Sequence, residues 1–96
     1  MKREYELTVI FAPVLKEKGL SGAVASVESL VKKYKGKVLE MQELGKLRLS
    51  YSIAKYAEGI YLFWKIEMPG EGAGKFEAEL GLQKGLLRQL LVRVSK

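Results

Sequence analysis

Apolar and polar residues alternate from Tyr5 to Phe11, with Tyr5, Leu7, Val9 and Phe11 on one side and Glu6, Thr8 and Ile10 on the other. This period of two predicts a strand, which Pro13 ends. The spacing then becomes helical: Leu20, Val24, Val27, Val31 and Tyr34 recur along one stripe, widened by Ala23 and Leu30. Ser21 is placed to cap this helix, Glu28 and Lys32 to pair one turn apart, and Gly36 to stop it. Lys37 to about Ile53 reads as a long β segment interrupted at Gly45, where a bulge or bend is expected. In its second half Leu47, Leu49, Tyr51 and Ile53 share one side, while Lys46, Arg48 and Ser50 share the other. A turn over Ala54–Gly59 leads into a strand with two distinct faces. Ile60, Leu62, Trp64, Ile66 and Met68 form its core side, and Tyr61, Phe63, Lys65 and Glu67 look outward.

Pro69–Gly72 breaks the chain, after which Ala73, Phe76 and Leu80 mark a shorter helix, with Gly81 and Gly85 bracketing its exit. Leu87–Val94 is the last strand, carrying Leu90, Val92 and Val94 on one side and Gln89, Leu91 and Arg93 on the other. The order β-α-β-β-α-β predicts an α+β ferredoxin-like sandwich, a four-stranded antiparallel sheet with both helices on one face. Residues 1–96 make one domain, since a core of this size does not divide. The second sheet face is left uncovered.

Composition narrows the chemistry. Seventeen Lys and Arg against eleven acidic residues give a net charge of +6, which suits a polyanionic partner. The chain has no Cys, no His and no Asn, and all eleven acids are Glu. Thiolate and imidazole chemistry, hydrolytic triads, zinc sites and EF-hand loops therefore lack their residues. The expectation is a protein that is not an enzyme and uses no cofactor, metal or small-molecule substrate. Thirteen Lys and eleven Glu without Asn or Cys also match the bias of heat-adapted proteins. No apolar run approaches the roughly 20 residues of a membrane span. The start, Met1-Lys-Arg-Glu-Tyr, has no signal-like apolar core, so a cytoplasmic location is expected.

Three basic clusters fall at strand ends and loops: Lys46 and Arg48 with Lys55, Lys2 with Arg3, and Lys84 with Arg88. Several cations held in register are what phosphates require. Lys32, Lys33, Lys35 and Lys37 instead follow the first helix, where cations complement the helix dipole. Tyr61 and Phe63, joined by Ile10 or Leu91 from neighbouring strands, form an apolar patch on the open face that suits a protein partner. An RNA recognition motif does not fit, because Gly59 is preceded by Glu58 and followed by Ile60, which displaces the aromatics to the opposite parity. Acylphosphatases of this topology need an Asn, and copper chaperones need two Cys; neither residue type is present. A small-molecule-binding regulatory domain is the alternative, with Gly70-Glu-Gly-Ala-Gly74 as its anion-binding loop.

Three segments carry a resemblance: Tyr5–Pro13, Glu43–Lys55 and Gly59–Pro69. Together they resemble the bacterial small-subunit ribosomal protein six family over almost the whole chain. The middle segment is the most specific, with Gly45 followed by Arg48-Leu49-Ser50-Tyr51 and Ile53. Leu47 stands where the family has its first basic position, and Ser52 where Pro is common. The resemblance implies a structural ribosomal protein, without catalysis or cofactor, that binds the central domain of small-subunit ribosomal RNA together with ribosomal protein eighteen. It implies Arg48 as the leading phosphate contact, Lys46 beside it, and Lys2 and Arg3 as the basic N-terminus. Tyr51 shares parity with Leu49 and Ile53, which favours packing over RNA contact. Tyr61 and Phe63 are the expected partner patch.

Overall fold

The computed structural model describes residues 2–15, 19–53 and 55–94. Four strands, β1 (Lys2–Phe11), β2 (Lys37–Ile53), β3 (Tyr56–Pro69) and β4 (Leu86–Arg93), alternate with α1 (Leu20–Lys33) and α2 (Ala73–Leu80). They form one antiparallel sheet in the order β2-β3-β1-β4. Its architecture is the expected ferredoxin-like α+β sandwich.

The period-two reading of β1 and β3 holds residue by residue. Leu7, Val9 and Phe11 of β1 and Leu62, Trp64, Ile66 and Met68 of β3 are fully buried on the helix side. Register explains why they meet, since Leu7 opposes Trp64, Val9 opposes Leu62 and Phe11 opposes Ile60. Val27, Leu30 and Val31 of α1, and Phe76 and Leu80 of α2, close this core from above. Burying such apolar surface is the dominant favourable term in folding.

Local details of α1 depart from expectation. Gly19 occupies the N-cap and no side chain caps the helix, because the helix starts one residue before Ser21. Glu28 does not pair with Lys32; its carboxylate accepts a hydrogen bond from the Trp64 indole N–H at 2.9 Å. That bond satisfies the one polar atom of the otherwise apolar Trp64 side chain. The helix ends in a Schellman arrangement, with Gly36 N–H donating to the Val31 carbonyl and Lys35 N–H to that of Lys32. Lys35 takes the left-handed conformation at φ 63°, and Gly36 serves a different need. A Cβ at Gly36 would stand 2.8 Å from the Glu67 carbonyl oxygen and 2.8 Å from Val31 Cγ1.

The connection between β2 and β3 is tighter than Ala54–Gly59. Ile53 already pairs with Tyr56, and Lys55 before it adopts φ 70°. Gly45 supports the expected irregularity: its φ is 91° and the ladder shifts register between Glu43 and Gly45. A larger shift follows, since Arg48 opposes Glu58 while Ile53 opposes Tyr56. Residues 49–52 of β2 therefore face Ala57 alone. Such a bulge bends its strand and sharpens the twist.

Candidate nucleic-acid and partner interface

The bulge carries the end of β2 over the face that the helices leave open. There Leu49, Ser50, Tyr51 and Ile53 line a groove of about 340 Å³ with Thr8, Ile10, Tyr61, Arg88 and Leu90. Arg88 donates a hydrogen bond to the Tyr51 hydroxyl at 2.9 Å. β2 and β4 are opposite edges of the sheet, separated by about 14 Å at the usual strand spacing. Tyr51 crosses that width only because of the extruded segment. Leu49 packs as its parity suggested, at 8% exposure, yet Tyr51 is 65% exposed. The Tyr51 ring is thus a surface group tied to a cation.

Antiparallel register arranges the rest of the open face in rows. Tyr61, Ile10 and Arg88 lie across one row, and Phe63, Thr8 and Leu90 across the next. Then come Lys65, Glu6 and Val92, and finally Glu67 opposite Glu4. Tyr61 and Phe63 are half-buried and sit where the alternation put them. Leu91 does not join them. It opposes Leu7 and packs against the core on the helix side, so Leu90 and Val92 are the exposed apolar residues that β4 gives the open face. Both parities of β4 are apolar, and pairing with β1 decides between them.

The predicted cations divide into two groups. Lys46 and Arg48 oppose Ile60 and Glu58, Lys55 lies in the hairpin turn, and Arg88 opposes Ile10. Lys84 belongs to the loop before β4, held to the end of β1 by the hydrogen bond from Ala12 N–H to the Gly85 carbonyl. These five share the sheet end at which β1 finishes. Lys2 and Arg3 begin β1 and lie at the other end, about 30 Å away at the usual rise per residue. Two of the predicted clusters share this end of the sheet from opposite edges, Lys46 and Arg48 with the parity of Ile60 and Arg88 with that of Tyr61, and the third stands apart.

Within the larger group Lys46 is 3.5 Å from Glu58 in an exposed ion pair. Such pairs are worth little and exchange readily for other partners. Arg3 has a neighbour that bears on the alternative reading: a Cβ at Gly70 would lie 3.0 Å from Arg3 Nη1. The Arg3 side chain fills the space beside the first glycine of the proposed anion loop.

The family described as Ribosomal protein S6 matches residues 4–93. Small ribosomal subunit protein bS6 from Mycobacterium bovis (strain BCG / Pasteur 1173P2) is 34% identical over 94 residues, covering 98% of each chain. The protein of the same description from Rhodococcus opacus (strain B4) is 33% identical over 94 residues, covering 98% of this chain and 99% of its own. The crystal structure of 30S ribosomal protein S6 from Thermotoga maritima superposes with a TM-score of 0.90 at 24% identity, over 98% of this chain and 89% of that one. That structural likeness bears on the fold, whereas the match across all four strands and both helices bears on descent. The chain belongs to the ribosomal protein S6 family.

Proposed function

We propose that the chain is a structural component of the small ribosomal subunit that binds small-subunit ribosomal RNA in its central domain, together with ribosomal protein eighteen, and supports assembly. The observation that carries this reading is the family match over residues 4–93, in a sequence with no Cys, His or Asn on which to build common catalytic sites. The family is one of ribosomal proteins, not of enzymes.

Two surfaces divide the work. Lys46, Arg48, Lys55, Lys84 and Arg88 meet RNA phosphates at one end of the sheet, and Lys2 and Arg3 form a separate contact at the other. Phosphate contacts position a protein without reading bases, so specificity comes from RNA shape. The open face around Tyr61, Phe63 and Leu90 takes the protein partner. The Tyr51–Arg88 hydrogen bond joins the two surfaces at their common border. Sedimentation of the tagged chain with assembling small subunits at low ionic strength tests the proposal. Recovery in the subunit fraction, released by salt, supports it; a chain that stays at the top of the gradient under all conditions refutes it.

A further inference from the structure

Cations of this chain are held in two ways. Lys33, Lys46 and Lys65 are tied to the carboxylates of Glu79, Glu58 and Glu40, which offset their charge. Arg88 is tied instead to the Tyr51 hydroxyl, a neutral acceptor, at 2.9 Å. A phenol fixes a guanidinium without neutralising it, so the positive charge stays available to a ligand. Among the described residues no carboxylate lines the adjoining groove, whose other polar groups are hydroxyls and the Gln89 amide. Glu6, the first acid down the open face of β1, is four residues from Ile10, about 13 Å at the strand rise. The contact exists because of the bulge, which brings Tyr51 from one edge of the sheet to the other. The Tyr51 ring is 65% exposed, so packing does not account for its position. Its oxygen is the acceptor in this bond, which leaves its own O–H free to donate. Arg88 engages Tyr51 through Nη1, and its remaining guanidinium donors can hold an anion bidentately.

We propose that Arg88 and Tyr51 form a preassembled site for one backbone phosphate of RNA, in which the Tyr51 hydroxyl positions the guanidinium and donates to the same anion. This rests on the RNA-binding reading above and gives Tyr51 a role in it. An Arg side chain loses rotamer freedom when it takes hold of a phosphate. The bond to Tyr51 restrains the guanidinium before RNA arrives, so less freedom is lost on binding. Convergent guanidinium and hydroxyl donors suit a phosphate, which presents several acceptor oxygens. A carboxylate of a protein partner would satisfy the same donors. The net charge of +6, with Lys55 in the hairpin turn and Lys84 in the loop before β4 at this end of the sheet, favours the polyanion. Because the Tyr51–Arg88 bond is exposed and competes with water, its effect is moderate.

The test measures binding of the full chain to a central-domain fragment of small-subunit ribosomal RNA across a range of salt, with ribosomal protein eighteen at saturation. Arg88→Met keeps an unbranched stem without donors. It should lower affinity about tenfold and make the log–log slope shallower by one contact, roughly 0.7–0.9. Tyr51→Phe keeps the ring and every charge, so it should lower affinity about threefold and leave the slope unchanged. In the Arg88→Met background, Tyr51→Phe should change affinity by less than about 1.5-fold, a coupling that a purely structural role would not produce. Equal effects of Tyr51→Phe in both backgrounds, or none in either, overturn the inference while the RNA reading stands. Weaker binding of Arg88→Met to ribosomal protein eighteen alone, with RNA affinity unchanged, would give the pair to the protein partner and also overturn it. An unaltered chain that binds no RNA overturns the RNA reading and this inference with it.

Discussion

Gly59→Ala probes the surface on which the account depends. Gly59 is buried in β3 opposite Leu47, beneath the bulged end of β2. A Cβ there would stand 2.3 Å from Ile10 Cγ2, 3.4 Å from the Phe11 carbonyl oxygen and 3.7 Å from Leu49 Cδ2. The first distance is far inside van der Waals contact, so an atom must move. Ile10 has little freedom to do so, because a β-branched side chain is stiff at χ1 and Ile10 is only 8% exposed. Overpacking of this kind costs about 1–3 kcal/mol. For a domain of this size that corresponds to a fall in Tm of roughly 4–24 °C. Urea denaturation should show a lower midpoint with unchanged m, since the same surface is exposed on unfolding. The groove should suffer too, because Ile10 lines it, so partner affinity should fall along with stability. A Tm within about 1 °C of the parent would mean that Ile10 does not pack on Gly59.

Other substitutions test separate links. Trp64→Ala empties a fully buried site and leaves Glu28 without its donor; it should cost roughly 3–5 kcal/mol in urea denaturation, and a loss under about 1 kcal/mol would mean that the faces of β3 are reversed. Lys35→Gly relieves a left-handed residue at the end of α1 and should raise stability by about 0.5–1 kcal/mol, whereas any loss would contradict the assigned backbone. Hydrogen bonds from Lys33 and then Tyr34 hold the Glu79 carboxyl below its usual range. A depressed folded-state value contributes stability above the ordinary carboxylate range that is lost as pH falls through the folded value. The same contact raises Lys33 and Tyr34, whose contribution is lost as pH rises through their folded values. Glu79→Gln should flatten the acid limb of a Tm–pH profile, and an unchanged limb would remove this cluster from the account.

Sequence periodicity disclosed the element order and the core because β1 and β3 each bury one complete parity. Trp64 and Tyr61 were separable for the same reason, being of opposite parity on one strand. β4 resisted this reading: Leu90, Leu91 and Val92 are consecutive, so alternation cannot tell the covered face from the open one. Cross-strand pairing of Leu91 with Leu7 settles it. Tyr51 resisted for another reason. Alternation assumes an unbroken ladder, and four residues of β2 opposite one of β3 defeat it. The separation of Lys2 and Arg3 from the other cations follows from strand direction, which cluster counting ignores.

The most direct test of the central claim is the salt dependence of binding to a central-domain fragment of small-subunit ribosomal RNA, with ribosomal protein eighteen present. Each phosphate contact contributes about −0.7 to −0.9 to the slope of log K against log salt. Three to five contacts from the Arg48 end predict a slope of roughly −2 to −4.5, and Arg48→Ala should weaken binding and make the slope shallower by about one contact without lowering Tm. A slope near zero, or an Arg48→Ala variant with unchanged affinity and slope, would contradict the account.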